Sequence, residues 1–305
     1  MSEHETLMPE YSHIIPDFTT FLQSLERPLP VHLRVNTLKV ARERFLELAQ
    51  KKGYELKPIP WYPDAFLALN LESPGTTLEY FLGYYYPQGL SSMIPPLLLD
   101  PQPEETVLDL CAAPGGKTSQ LAQLMQNRGL IVANDITMHR LRSLKANLER
   151  LGILNTLTTQ YHGQNFPTRF RFDRVLVDAP CSGSGTYRGK QGEQGIERPA
   201  WLIRRLSKLQ KQLIVRAFDL LKPGGCLVYS TCTYAPEENE EVIAHLLQTR
   251  EDAVLEEIQL PFPHATGLTD WQGKAYPEAL KRCVRVYPHQ LDSWGFFYAK
   301  ITRPR

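Results

Sequence analysis

From about residue 89 onward the chain alternates short apolar runs with longer amphipathic stretches. Residues 106–110, 130–135, 157–161, 172–178, 226–230 and 295–301 are short and mostly apolar, and each reads as a strand. Between them, residues 92–99, 118–125, 139–151, 201–221 and 237–248 carry helical spacing. Lys222-Pro223-Gly224-Gly225 reads as a turn. Gly185, Gly189, Gly192 and Gly195 mark a long loop ahead of the helix that starts near Trp201. Strands that alternate with helices build βαβ units, so the pattern predicts an α/β fold with a mainly parallel sheet and helices on both faces.

Ahead of this region the texture is different. Leu33 to Leu38 reads as a short strand, and Ala41 to Lys51 as a helix with Phe45, Leu48 and Ala49 on one side. Pro58, Pro60, Pro63 and Pro74 then break regular structure into short pieces. The expectation is a small α+β domain over residues 1–85, followed by a larger domain over 86–305.

Composition narrows the class without naming a function. The 305 residues are 42% hydrophobic and 22% charged, as in ordinary globular proteins. No apolar run reaches the roughly 18 residues of a membrane span. The start, Met1-Ser2-Glu3-His4-Glu5-Thr6, lacks the features of a signal peptide, which predicts a cytoplasmic protein. Five cysteines without CxxC spacing predict neither a disulfide framework nor a metal site. No heptad pattern asks for a partner copy, so a monomer is expected. Net charge is only +1, so any nucleic-acid contact must come from a local patch. The candidates are Arg169, Arg171 and Arg174; Arg204, Arg205, Lys208 and Lys211; and Lys281, Arg282 and Arg285. Each is as readily a solvated face.

The chemistry concentrates where strands end. Cys181, in Val177-Asp178-Ala179-Pro180-Cys181-Ser182-Gly183, and Cys232, in Val228-Tyr229-Ser230-Thr231-Cys232-Thr233, each follow an apolar run. In open α/β sheets ligands bind at the carboxyl ends of the strands. Buried cysteine is common and inert, a reading that suits Cys226 and, less firmly, Cys111 and Cys283. It suits Cys181 and Cys232 badly. A third strand end carries Asp109-Leu110-Cys111-Ala112-Ala113-Pro114-Gly115-Gly116-Lys117-Thr118, and Asp135 ends the next strand. That carboxylate stands where ribose hydroxyls are met in nucleoside-binding α/β folds. The loop is neither GxxxxGK[ST] nor GxGxxG, which favours S-adenosylmethionine over a nucleotide triphosphate or NAD. A plain βα turn is the alternative. Two thiols and Asp178 suit methylation of a pyrimidine at carbon 5, where a thiolate adds to carbon 6, an acid stabilises the adduct and a base later removes a proton.

These residues resemble the Nop2/Sun family of RNA 5-methylcytosine methyltransferases. The resemblance runs from Leu33-Arg34-Val35-Asn36-Thr37 to Gly295-Phe296-Phe297. It includes Tyr86-Pro87-Gln88-Gly89, the Cys111–Thr118 loop, Asp178-Ala179-Pro180-Cys181-Ser182-Gly183-Ser184-Gly185, and Tyr229-Ser230-Thr231-Cys232-Thr233 followed by Glu237-Glu238-Asn239-Glu240. The resemblance implies a Rossmann-like methyltransferase domain and a small RNA-contacting amino-terminal domain. It implies Cys232 as nucleophile, Cys181 in product release, Asp178 on the target cytosine and beside the cofactor, and Lys117 closing the loop and reaching the base. It further implies that Cys111, Ala112, Ala113, Pro114, Gly115, Gly116, Lys117 and Asp135 hold S-adenosylmethionine, with tRNA or rRNA as substrate. Where the family has Asp-Gly or Asp-Ala after the third strand, this chain has Tyr161-His162-Gly163-Gln164, which puts His162 at the adenine-contacting position. No PUA domain is expected after Arg305, and no long RNA-binding domain before the chain. An RNA-binding assembly factor without catalysis, and a methyltransferase acting on DNA or protein, are the competing readings.

Overall fold

The structure is a computed structural model and describes residues 8–188 and 198–305. Gly189, Gly192, Gly195 and the Met1–Thr6 start lie outside the described residues. In chain order the elements are α1 (Phe18–Leu25), β1 (Val31–Val35), α2 (Arg42–Lys51), β2 (Leu56–Ile59), β3 (Tyr62–Ala68), α3 (Leu78–Phe81), β4 (Tyr85–Pro87), α4 (Leu90–Leu99), β5 (Thr106–Asp109), α5 (Gly116–Leu124), β6 (Leu130–Asn134), α6 (Met138–Leu151), β7 (Thr156–Thr159) and β8 (Phe172–Asp178). They continue with α7 (Ala200–Asp219), β9 (Leu221–Thr231), α8 (Glu240–Thr249), β10 (Val254–Glu256), β11 (Ala265–Thr266), β12 (Asp270–Trp271), β13 (Lys274–Ala275), β14 (Val284–Val286), α9 (Pro288–Leu291) and β15 (Phe296–Thr302). The chain forms two compact units.

The first unit comprises Pro30–Gly163 and Phe172–Leu176. Its antiparallel sheet has the order β2-β3-β1-β4. Leu33 and Val35 of β1 meet Phe45 of α2, Phe66 and Ala68 of β3, and Tyr85 of β4 in one core. Phe45 and Ala49 lie one turn apart, so α2 buries a single stripe. Pro60 lies in the turn between β2 and β3 and Pro74 opens a short 3-10 helix, as expected of breakers, but Pro58 and Pro63 sit inside strands. Pro58 lies in β2 at the sheet edge, where a missing N–H is tolerated, and the register shifts just after it. Pro63 falls outside the paired positions of β3.

The same unit holds four parallel strands in the order β8-β5-β6-β7. Leu141, Leu144 and Leu148 of α6 recur at helical spacing and pack on Ala112, Ala113 and Ala133. Gly152 ends α6 with φ +69°, and its N–H bonds to Glu149 O at 3.0 Å.

The second unit comprises Met1–Leu29, Gln164–Arg171 and Val177–Arg305. Its strands follow the order β11-β14-β15-β9, with β10 on β15, and the ladders β9–β15, β15–β14, β14–β11 and β15–β10 are antiparallel. The expected turn at 222–225 is instead part of β9. Gly224 N–H bonds to Arg303 O and Arg303 N–H to Gly225 O, so pairing with the carboxyl-terminal segment carries the strand through Pro223. The next helix starts at Glu240, three residues later than expected. The N–H groups of Glu238 and Asn239 bond back to Ala235 O and Pro236 O, which makes a turn there. The sequence reading missed β14, a three-residue strand centred on a buried arginine. Among the described residues no helix is long and apolar enough to cross a membrane.

Candidate active site

The thiol site lies in the second unit, where β8 and β9 deliver their carboxyl ends. Ala179 N–H bonds to Ser230 O at 2.9 Å, which fixes the residue after Asp178 to the end of β9. Ser230 Oγ donates to Asp178 Oδ1 at 2.7 Å. The Sγ atoms of Cys181 and Cys232 are 3.3 Å apart, and Cys232 N–H reaches Cys181 Sγ at 3.4 Å. Both cysteines are half-buried and carry free thiols. Gly185 N–H bonds to Cys232 O at 2.9 Å. A Cβ on Gly185 would stand 2.4 Å from Gly295 O and 2.9 Å from Cys232 O, so the loops close only around glycine.

A buried carboxylate ties the two cysteine loops together. Glu238 is fully buried. It accepts from Ser182 N–H at 2.9 Å, Gln210 Nε2 at 2.8 Å and Thr233 Oγ1 at 3.3 Å. Burial pushes its carboxyl above the usual range, and these hydrogen bonds only partly oppose that. Thr233 Oγ1 also meets Ser182 Oγ at 2.8 Å and Ser184 Oγ at 3.1 Å. The Cys181 thiol is raised well above its ordinary value, first by its hydrogen bond with Cys232, then by burial, then by the charges of Cys232 and Glu238. The Cys232 N–H on Cys181 Sγ opposes that rise only in part. Below this layer Arg285 and Glu240, both buried, form a two-pronged ion pair at 2.7 and 2.5 Å. Burial pulls the Arg285 guanidinium down, but Glu240 and Tyr287 lift it above its ordinary value.

The glycine loop lies in the first unit. Gly115 has φ +103°, a left-handed conformation natural to glycine, and its Cβ would stand 2.8 Å from Leu144 Cδ1. Gly116 opens α5, and its Cβ would be 3.0 Å from Tyr86 Cε1. Thr118 Oγ1 donates to Asp109 Oδ2 at 2.7 Å, tying α5 to β5. Among the described residues the cis peptide bond is Ala113–Pro114, in the glycine loop, and the bond at Ala179–Pro180 is not cis. Asp135 is buried behind the loop and accepts from Ala113 N–H at 3.2 Å. It also pairs with the half-exposed Arg140 at 3.3 Å. Lys117 is buried, with Nζ on Ser92 Oγ at 2.8 Å. Cys111 is half-buried, and His162 is exposed with no polar partner among the described residues.

The predicted residues thus gather in two sets. Asp178, Cys181 and Cys232 are in the second unit; residues 111–117, Asp135 and His162 are in the first. Cys226 and Cys283 are buried. Sequence reasoning quoted Arg34, Ser230 and Glu238 within motifs but gave them no role. It also overlooked Gln210 and Arg140. Arg34 is 1% exposed and donates to Gln88 Oε1 at 2.9 Å, Ser119 Oγ at 2.7 Å and Gly116 O at 3.2 Å. The available signal was a polar residue at every second position of an otherwise apolar strand, and an acid-rich run from Glu237 to Glu241, shortly after Cys232.

Comparison with known proteins identifies the chain's relatives. The family model for 16S rRNA methyltransferase RsmB/F matches residues 96–302. The model for the N-terminal domain of 16S rRNA methyltransferase RsmF matches residues 3–89. A tRNA (cytosine(49)-C(5))-methyltransferase of Pyrococcus abyssi is 42% identical over 99% of this chain and 97% of its own length. Ribosomal RNA small subunit methyltransferase F of Vibrio atlanticus is 41% identical over 98% of this chain, which spans 62% of that protein. The crystal structure of NSun6 from Pyrococcus horikoshii with SFG superposes with TM-score 0.82 at 25% identity, covering 98% of both chains. The fold is accordingly Rossmann-like, and the competing assembly-factor, DNA and protein readings have no support in these relatives. With two thirds of its length under one family model and a relative of matching length at 42% identity, the chain belongs to the RsmB/F, or Nop2/Sun, family of RNA cytosine-5 methyltransferases.

Proposed function

We propose that this chain methylates carbon 5 of a cytosine in tRNA or rRNA, using S-adenosylmethionine and a covalent adduct between Cys232 and the base. The observation that carries the reading is the 3.3 Å approach of Cys181 and Cys232, with Asp178 anchored by Ser230 on the neighbouring strand end. Carbon 5 of cytosine is a weak nucleophile. Addition of the Cys232 thiolate to carbon 6 turns the ring into an enamine that attacks a methyl electrophile. Cys232 is the sulfur that adds, the role the family resemblance gives it, with the Cys181 sulfur 3.3 Å away. Asp178, oriented by Ser230 Oγ, shares a proton with ring nitrogen 3 and stabilises the adduct. With its own proton lost to solvent, the Cys181 thiolate takes the proton from carbon 5. The electrons of that C–H bond form the double bond between carbons 5 and 6, and the bond from carbon 6 to Cys232 breaks, releasing Cys232 as a thiolate.

The glycine loop suits the cofactor. Gly115 and Gly116 leave backbone bare at the start of α5, and Asp135 stands behind them for ribose hydroxyls, with Arg140 giving way. Cys111 through Lys117, Asp135, His162 and Asp178 would hold S-adenosylmethionine, which supplies an electrophilic methyl group when bound. Lys117, now on Ser92, would turn toward the base. Residues 1–85 would contact RNA and 86–305 carry out the chemistry, a division supported by the two family models meeting between residues 89 and 96. The same reading has the protein act as a cytoplasmic monomer without metal.

The test is transfer of tritiated methyl groups to tRNA and rRNA transcripts. Cys232→Ala abolishes transfer, and Cys181→Ala accumulates a protein–RNA adduct that survives a denaturing gel. A wild-type rate in Cys232→Ala overturns the covalent route. Active Cys232 without an adduct in Cys181→Ala removes the release role of Cys181.

A further inference from the structure

Several of the basic residues noted in the sequence are engaged within the chain, while Arg169 lies over the Phe170 ring and Arg171 bonds back to Phe170 O. Arg174 pairs with Glu105, Lys281 with Glu278, Arg282 donates to Leu255 O, and Arg285 is buried on Glu240. The α7 cluster differs. Arg204, Arg205 and Lys208 are exposed and have no ion-pair or hydrogen-bond partner among the described residues. Their spacing, with Trp201 one turn earlier, places all four on the outward side of α7. Trp201 is 59% exposed, unusual for so large an apolar ring.

This stripe borders a groove of about 470 Å³ in the second unit. Arg204, Lys208 and Lys211 form one wall, and Trp271, Lys274 and Tyr276 of the β12–β13 hairpin form the other. Glu241 neutralises Lys211 and Lys274 at 2.7 and 3.0 Å, and Glu237 accepts from Trp271 Nε1 at 3.0 Å. Arg204 and Lys208 have no such partner among the described residues. A second hollow of about 250 Å³ continues past Arg204 to Arg198, whose buried Nε has no acceptor among the described residues.

The inner side of the same helix holds the catalytic loops. Ser207 Oγ donates to Glu237 O at 2.5 Å, and Gln210 Nε2 reaches Pro180 O and Glu238 at 2.8 Å each. The stripe thus lies about one helix diameter, roughly 10–12 Å, from the segments that carry Cys181 and Cys232. The crossover from β8 through α7 to β9 has the same consequence: the amino-terminal half of α7 stands at the carboxyl ends of the strands.

We propose that this groove takes the sugar–phosphate backbone of the substrate RNA beside the target cytosine. Arg204 and Lys208 contact phosphates, Arg198 extends the track, and Trp201 is a stacking platform for a flanking base. A chain of net charge +1 must concentrate its attraction for RNA, and this is a patch of unpaired cations with an exposed aromatic ring, the combination single-stranded RNA recognises. The proposal rests on the RNA methyltransferase assignment and adds where the RNA lies.

The experiment is fluorescence anisotropy of a labelled tRNA transcript with the wild type, Arg204→Ala/Lys208→Ala and Trp201→Ala across a salt series. The double variant binds about 10-fold more weakly, and its slope of log affinity against log salt falls by roughly 1.4–1.8, for two lost phosphate contacts. Trp201→Ala binds about 5-fold more weakly with the slope unchanged. In methyl transfer the double variant raises KM for RNA and keeps kcat at saturating RNA, and its S-adenosylmethionine affinity by calorimetry is that of the wild type. Unchanged RNA affinity and salt slope overturn the proposal and leave the stripe as a contact for another partner. Binding is read without catalysis, so a failure of the covalent mechanism is seen separately, as wild-type enzyme that binds RNA but transfers nothing.

Discussion

Glu238 is the most informative residue to perturb, because it joins the stability of the thiol site to its geometry. Glu238→Ala removes the acceptor for Ser182 N–H, for one Gln210 N–H and for the Thr233 hydroxyl. Thr233 keeps Ser182 Oγ and Ser184 Oγ, so two buried donors are stranded. Each stranded donor costs about 1–3 kcal/mol. Relief from burying a carboxylate offsets part of this, which leaves a net loss of about 3 kcal/mol. In a chain of this size that is a fall in Tm of about 5–10 °C. The cysteine loops lose their common anchor, and a displacement of about 1 Å at a reacting centre can lower kcat by about 100-fold. Glu238→Gln keeps one acceptor and loses about 1 kcal/mol. The pH dependence separates the two variants from general damage. Burial raises the Glu238 pKa in the folded state. Its contribution to stability is then fully present below the unfolded value near 4.5 and is lost as pH rises through the folded value. The stability of wild type minus Glu238→Gln therefore declines with pH above that point. Urea unfolding at several pH values and single-turnover methyl transfer measure both arms. A Glu238→Ala protein within about 0.5 kcal/mol of wild type, with normal kcat, would refute this reasoning.

The remaining predictions concern other parts of the structure. Glu240→Ala leaves Arg285 buried without its carboxylate and lowers stability by about 3–5 kcal/mol in urea unfolding, whereas Glu240→Leu/Arg285→Met recovers most of the loss. Gly185→Ala drives a methyl group against Gly295 O and Cys232 O, so kcat falls by at least about 10-fold while S-adenosylmethionine affinity holds; a wild-type kcat would show that the loops can shift. Asp135→Ala removes the carboxylate behind the glycine loop and weakens S-adenosylmethionine binding in calorimetry by about 10-fold or more, with tRNA affinity unchanged. Equal cofactor affinity in that variant would take Asp135 out of the cofactor set.

Several features were legible in the chain alone because they follow from local chemistry. The apolar runs of β5, β6, β8 and β9 are buried strands wherever they sit, and their alternation with helices admits few topologies. Cys181 and Cys232 stood out because each follows such a run. The segments misread were those whose state depends on a distant partner. Residues 222–225 have the composition of a turn and are strand only because Arg303 pairs with them. Arg285 looked like one more surface cation, yet it is buried because Glu240 waits at 2.5 Å.

The sequence by itself therefore determined the α/β architecture and the family and singled out the residues proposed to react, since hydrophobic period and motif chemistry are properties of neighbouring positions. Only the tertiary structure decided that the two thiols meet at 3.3 Å, that Glu238 binds the two cysteine loops together, and which basic cluster has no partner among the described residues. Each of these depends on contacts across 28 to 56 positions, such as Gln210 with Glu238 and Ser182 with Glu238, which no local pattern encodes.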